Sequence, residues 1–254
     1  MARKGFFSGS RNPVMKEEAF AKAAQETLDS DFIAVQGQRM TVSGAVNKSF
    51  ILLGILLVGA MAGWMFASPI VMWGGAIAGL GLAVFASFKP HLSPTLAPLY
   101  AAVEGLFVGA ISFMYASFME GIVFQAVGLT IGILFMMLAL YKSGLIKVTE
   151  KFRAGVMMAT GAIMLVYILS WVLSFFGVSI PFLHEGGMIG IGISLFIIGI
   201  ASLNLLLDFD NFEKGEQYGA PAYMEWFSAM GLIITLVWLY IEILRLIAIV
   251  SSSD

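Results

Sequence analysis

The chain of 254 residues has no cysteine and only two histidines. Without cysteine there are no disulfides, no thiolate chemistry and no cysteine-held metals. His91 and His184 fall in different breaks between apolar runs, which argues against a histidine metal site or a serine–histidine triad. Charge is scarce as well. Asp, Glu, Lys and Arg make up 12% of the residues, about half the ~25% of a soluble domain. The formal net charge is −2, so no basic excess exists to meet a phosphate backbone, and no nucleic-acid partner is expected. The first forty-odd residues lack a short apolar core, so no cleavable signal is expected and the first membrane helix must serve as its own insertion signal.

What the chain has in quantity is apolar sequence, 59% of it. A helix needs about 20 apolar residues to cross a bilayer. Stretches of that kind run roughly over 48–67, 70–88, 96–118, 121–141, 154–177, 187–207 and 226–249. The expected fold is an all-α membrane protein of seven transmembrane helices. Its expected parts are a polar cytoplasmic tail, 1–45, and a seven-helix domain, 46–250. Within the tail, "KEEAFAKAAQETL" reads as a short polar-faced helix. The breaks at Ser68-Pro69 and Met119-Glu120 are short enough to demand tight antiparallel hairpins.

Orientation follows from the basic residues of short loops. With the N-terminus inside, every lysine and arginine except Arg245 falls inside. The C-terminus is then outside. The acidic stretch "LLLDFDNFEKGEQYGAPAYMEWF" becomes a cytoplasmic turn. Two glycine-rich runs, "GGAIAGLGLA" and "GMIGIGIS", suit close helix packing, or else a glycine-lined path. Trp73, Tyr141 and Trp226, near span ends, fit interfacial belts.

Charges within spans are costly and usually face the protein interior. Glu104, in "LYAAVEGLFVGA", lies about nine residues into the third span, roughly 13 Å from its end. A structural hydrogen-bonded glutamate and a functional one are both open readings. Asp208 and Asp210 point about 200° apart on a helix, so both cannot face the core. Asp208 continues the run from Asn204 to Leu207 and is the better buried candidate. Glu225 begins the next span from the same side. Asp208 and Glu225 are either a carboxyl pair that shares a proton and gates or two ordinary end-charges. Glu213 and Glu216 read as solvated. Lys142 and Arg153 flank an inner loop, as snorkelling anchors or as the cation that holds Asp208 in a closed state. Glu242 and Arg245 read as an i,i+3 pair.

Three local patterns carry a resemblance. "LYAAVEGLFVGA" is similar to the glutamate-bearing third helix of the Bax inhibitor family. "LNLLLDFDNFEKG" is similar to its sixth helix, which ends in an aspartate and a polar turn. "YMEWFSAMGLIITLVWLYIEILRLI" is similar to its last helix. The chain resembles that family over about residues 40–250, and its longer N-terminal tail resembles a bacterial, YccA-like branch.

The resemblance implies a central last helix wrapped by six others, and a pH-sensitive calcium leak gated by two aspartates on the last two helices. Asp208 matches the first aspartate. The second falls where this chain has Ile234 and Thr235, so it is missing.

The expected function is a pH-modulated cation leak, with Ca²⁺ the favoured ion, in a bacterial cytoplasmic membrane. Its expected path comprises Asp208, Glu104, Glu225 and Asn204, with oxygen ligands suited to a hard cation. Asp208 and Glu104 are the expected calcium contacts. Expected partners are the lipid bilayer and the cation. No resident cofactor is expected beyond transient Ca²⁺. The alternative is a non-transporting regulator whose tail binds a membrane protease or another membrane protein. An enzyme is not expected, since neither a facing pair of intramembrane aspartates nor a histidine–glutamate zinc motif occurs.

Overall fold

A computed structural model describes residues 39–174, 176–177 and 187–252. The polar-faced segment of the tail and His184 lie outside the described residues. Among the described residues, seven helices are long and apolar enough to cross a membrane. They are α1 (Val42–Met65), α2 (Pro69–Phe88), α3 (Ser93–Phe118), α4 (Ile122–Lys142), α5 (Glu150–Ser174), α6 (Met188–Gln217) and α7 (Tyr223–Ser251). A 3-10 turn, Pro90–Leu92, leads into α3. The protein is therefore an all-α membrane protein with seven transmembrane helices.

Local sequence sets the ends. Ser68 caps α2 by accepting the Val71 N–H at 3.3 Å, and Pro69 opens the helix, where its missing N–H costs nothing. Thr149 caps α5 by accepting the Phe152 N–H at 3.2 Å. That cap starts α5 at Glu150, earlier than its apolar run, and brings Arg153 inside the helix. The largest departure from expectation is at α6. It continues past the apolar stretch to Gln217, so most of the acidic "turn" is helix. Asp210 and Lys214, one turn apart, pair at 3.4 Å on this extension. The helix stops where Gly219 adopts φ +64°. There the Ala220 N–H reaches Gly215 O and the Gly219 N–H reaches Glu216 O, both at 3.0 Å, a Schellman ending.

Burial separates the helices. In α3 56% of the apolar window is buried, and in α6 and α7 44%, while the remaining four reach at most 22%. Large side chains on those four, such as Phe50, Ile70, Phe124 and Met158, are exposed and suit contact with lipid tails. The chain divides into two compact units. One holds the described residues up to 109 together with 210–233, and the other holds 110–209 with the described residues from 234.

In the first unit, α1 and α3 pack backbone to backbone. A Cβ at Gly59, Gly63, Gly105 or Gly109 would collide with backbone atoms of the facing helix. On α2, Gly75 abuts Phe107 of α3, and a Cβ at Gly79 would strike the Glu104 carboxylate. Of the "GGAIAGLGLA" run, Gly75 and Gly79 pack closely as expected, whereas among the described residues a Cβ at Gly74 or Gly81 would meet nothing within 4 Å. In α6, Gly190 of the "GMIGIGIS" run is buried. Among the described residues, a Cβ at Gly192 or Gly199 would meet no neighbouring atom within 4 Å. Those two glycines make no close backbone contact there.

Candidate functional site

The acidic stretch holds the start of α1. Thr41 is the N-cap of that helix, and its hydroxyl accepts the Gly44 N–H at 2.9 Å. Glu225 Oε1 accepts from both the Thr41 N–H and the Thr41 hydroxyl, each at 3.0 Å. In a capping box the acid three residues past the cap makes the bond to the cap N–H. Here that position is Gly44, and a side chain on it would occupy the space of the Glu225 carboxylate. Glu225 thus completes the box from α7. Glu216, expected to be only solvated, is exposed, yet it accepts the Val42 N–H at 3.3 Å. Met40 N–H donates to Ala220 O at 2.7 Å, and Lys48 lies 4.9 Å from the Trp226 ring centroid. Thr41→Ala and Glu225→Ala should each lower stability by about 1 kcal/mol. Because they share bonds, the double variant should lose little more than either alone. Thermal unfolding in detergent tests this.

Glu104 is buried, its carboxylate set against Gly79 and within the electrostatic reach of Tyr100.

Two polar clusters occupy the second unit. The first centres on Asp208, which is 1% exposed. Among the described residues, neither of its carboxylate oxygens has a hydrogen bond of ordinary geometry, but the Thr235 side chain and the charge of Arg153 both act on it. Arg153 is buried too. Lys142, the other expected counter-charge, is exposed. One turn before Asp208, Asn204 donates to Thr160 Oγ1 of α5 and to Ile200 O, both at 2.8 Å. Asp210, expected to be solvated, is half-buried in its bond to Lys214.

The second cluster joins α5 and α7. Arg245 Nη1 donates to the Tyr167 hydroxyl at 2.8 Å, and that hydroxyl donates to Glu242 Oε1. Arg245 and Glu242 also pair at 3.5 Å, and the guanidinium lies 6.0 Å from the Tyr167 ring centroid. Trp238 bonds to Glu242, and Tyr115 of α3 is within the field of both charges. The expected i,i+3 pair is real, but it is part of a partly buried network that its spacing alone does not announce. Among the described residues no three of His, Asp and Glu gather as a metal site.

A family model described as Bax inhibitor 1 like matches residues 12–252. The chain belongs to the Bax inhibitor 1 like family. Comparison with curated proteins returns no match. Within this Bax inhibitor 1 like protein, the position opposite Asp208 is filled by Thr235. That is the place where the resemblance sets a second aspartate. A hydroxyl therefore stands where a carboxyl was expected, and the charge acting on Asp208 is that of Arg153.

Proposed function

We propose that this Bax inhibitor 1 like protein is a pH-modulated cation leak of a bacterial cytoplasmic membrane, N-terminus inside, with Ca²⁺ as its principal ion and no catalytic activity. The observation that carries this reading is the enclosed Asp208 carboxyl inside a spanning helix, with Thr235 and Arg153 acting on it. A buried acid in a membrane helix is costly and is kept where it serves an ion or proton route. Attraction between Asp208 and Arg153 keeps the route closed. Acid neutralises Asp208, cancels that attraction and frees the route, so flux rises as pH falls. Asn204, one turn from Asp208 on the same helix, is its further oxygen ligand. Glu225 is assigned instead to capping α1.

Calcium uptake into proteoliposomes between about pH 6 and pH 8 tests this. The wild type should show flux that increases toward acid. Asp208→Asn should be open at both limits and lose the pH dependence. Asn204→Ala should reduce flux at every pH. Uptake equal to that of empty vesicles in all three would end the leak reading. If deletion of residues 1–40 then also abolished capture of a membrane protease, the chain would be a regulator.

A further inference from the structure

Polar residues recur at seven-residue steps on the helices of the second unit. On α5 they are Arg153, Thr160 and Tyr167, and on α7 Thr235 and Glu242. Seven residues are nearly two turns, about 10.5 Å, so each set keeps to one face. On α5 that face is also the buried one, since Val156, Ile163 and Ser170 share it. On α6, Ser194 lies two seven-residue steps before Asp208, and Asn204 lies one turn before it. Ser194 is fully buried, and among the described residues its hydroxyl has no hydrogen-bond partner.

The Asn204–Thr160 bond sets the register of α5 against α6. Measured from it, Asp208 lies about 6 Å toward one end. Tyr167 lies about 10.5 Å toward the other end, and Ser194 about 15 Å. The polar groups therefore form a ladder. Its rungs are Asp208 with Thr235, then Asn204 with Thr160, then Tyr167 with Glu242 and Arg245, then Ser194. In a helix bundle that faces lipid, apolar residues would fill these positions at lower cost. A buried hydroxyl with no partner marks a place for water.

We propose that this ladder is a water-accessible route for small cations, and that the Tyr167–Glu242–Arg245 knot is its second closure. This deepens the leak reading and rests on it for the choice of ion. The knot closes the route because three side chains from two helices meet across it, Arg245 donating to the Tyr167 hydroxyl and that hydroxyl to Glu242 Oε1. Glu242 supplies the charge that draws Arg245 across, and the Tyr167 hydroxyl bridges the two. Thr160 lies between the two closures, and Ser194 lies beyond the knot.

The absence of native cysteine makes the test direct. Single-cysteine chains Thr160→Cys, Ser194→Cys and Val166→Cys are reconstituted in liposomes. A membrane-impermeant cationic thiol reagent is applied on the side where α7 ends. Val166 is exposed on α5 and reports the lipid face. Ser194→Cys should react readily. Thr160→Cys should react slowly, and about tenfold faster when Glu242→Gln or Tyr167→Phe is added, the rate effect of about 1.4 kcal/mol. Both added substitutions keep side-chain volume, so either suffices if the other fails to fold. An unchanged Thr160→Cys rate in both backgrounds overturns the proposal. So does a Val166→Cys rate equal to that of Thr160→Cys, which would mean entry through lipid. Labelling needs no ion flux, so the ladder stands or falls separately from the calcium leak.

Discussion

Replacing Arg153 with methionine should lower the stability of the protein by about 3 kcal/mol, the low end of the cost of removing one member of a buried ion pair. The loss comes from Asp208, which is left enclosed without its compensating charge. Adding Asp208→Asn to Arg153→Met should restore most of the loss, because an amide in the same place carries no uncompensated charge. Asp208→Asn alone should be close to neutral or mildly destabilising. The measurement is a double-mutant cycle by thermal unfolding in detergent micelles, with a strongly non-additive result expected. Additive effects would show that the two charges do not act on each other. The same cycle separates stability from flux. Arg153→Met should raise calcium flux at neutral pH even as it weakens the fold, since the attraction that closes the route is gone.

The spans were legible because transfer of a helix into lipid depends on summed hydropathy, a property of short segments. The burial of Asp208 rather than Asp210 was legible for a similar reason, since helix geometry alone fixes the angle between them. What could not be read was anything set by caps or by distant partners. Arg153 and Lys142 looked alike in an inner loop. The Thr149 cap draws Arg153 onto the buried face of α5, while Lys142 ends α4 in the open. Glu225 looked like a partner for Asp208. Its bonds go instead to Thr41, far away in sequence, and the local hint was a cap followed by glycine in place of an acid. The Tyr167–Glu242–Arg245 network did leave a signal. Polar residues at seven-residue steps in an otherwise apolar helix mark a shared inward face, and both α5 and α7 show it.

Gly105→Leu should cost the protein its native packing, with a loss of at least about 3 kcal/mol. A side chain there meets Gly59 Cα at 2.9 Å and Ala60 N at 3.0 Å, and it collides with Leu56 O. These are backbone atoms of α1, so no rotamer change relieves the clash and α1 must move away from α3. Gly63→Leu should behave similarly, because Leu106 backbone atoms crowd it. Gly54→Leu on the same helix is the control. It has nothing within 4 Å of the added carbon among the described residues, and its effect should stay within about 0.5 kcal/mol. Unfolding midpoints in detergent, read beside the elution profile, distinguish the cases. If Gly105→Leu behaves like Gly54→Leu, the backbone contact between α1 and α3 is not what holds them. The expected contrast has a physical cause. In lipid no hydrophobic force presses two helices together, so close approach through glycine and the dispersion contacts it permits carry much of the association. Separating α1 from α3 would also disturb Glu104, which α3 holds against Gly79.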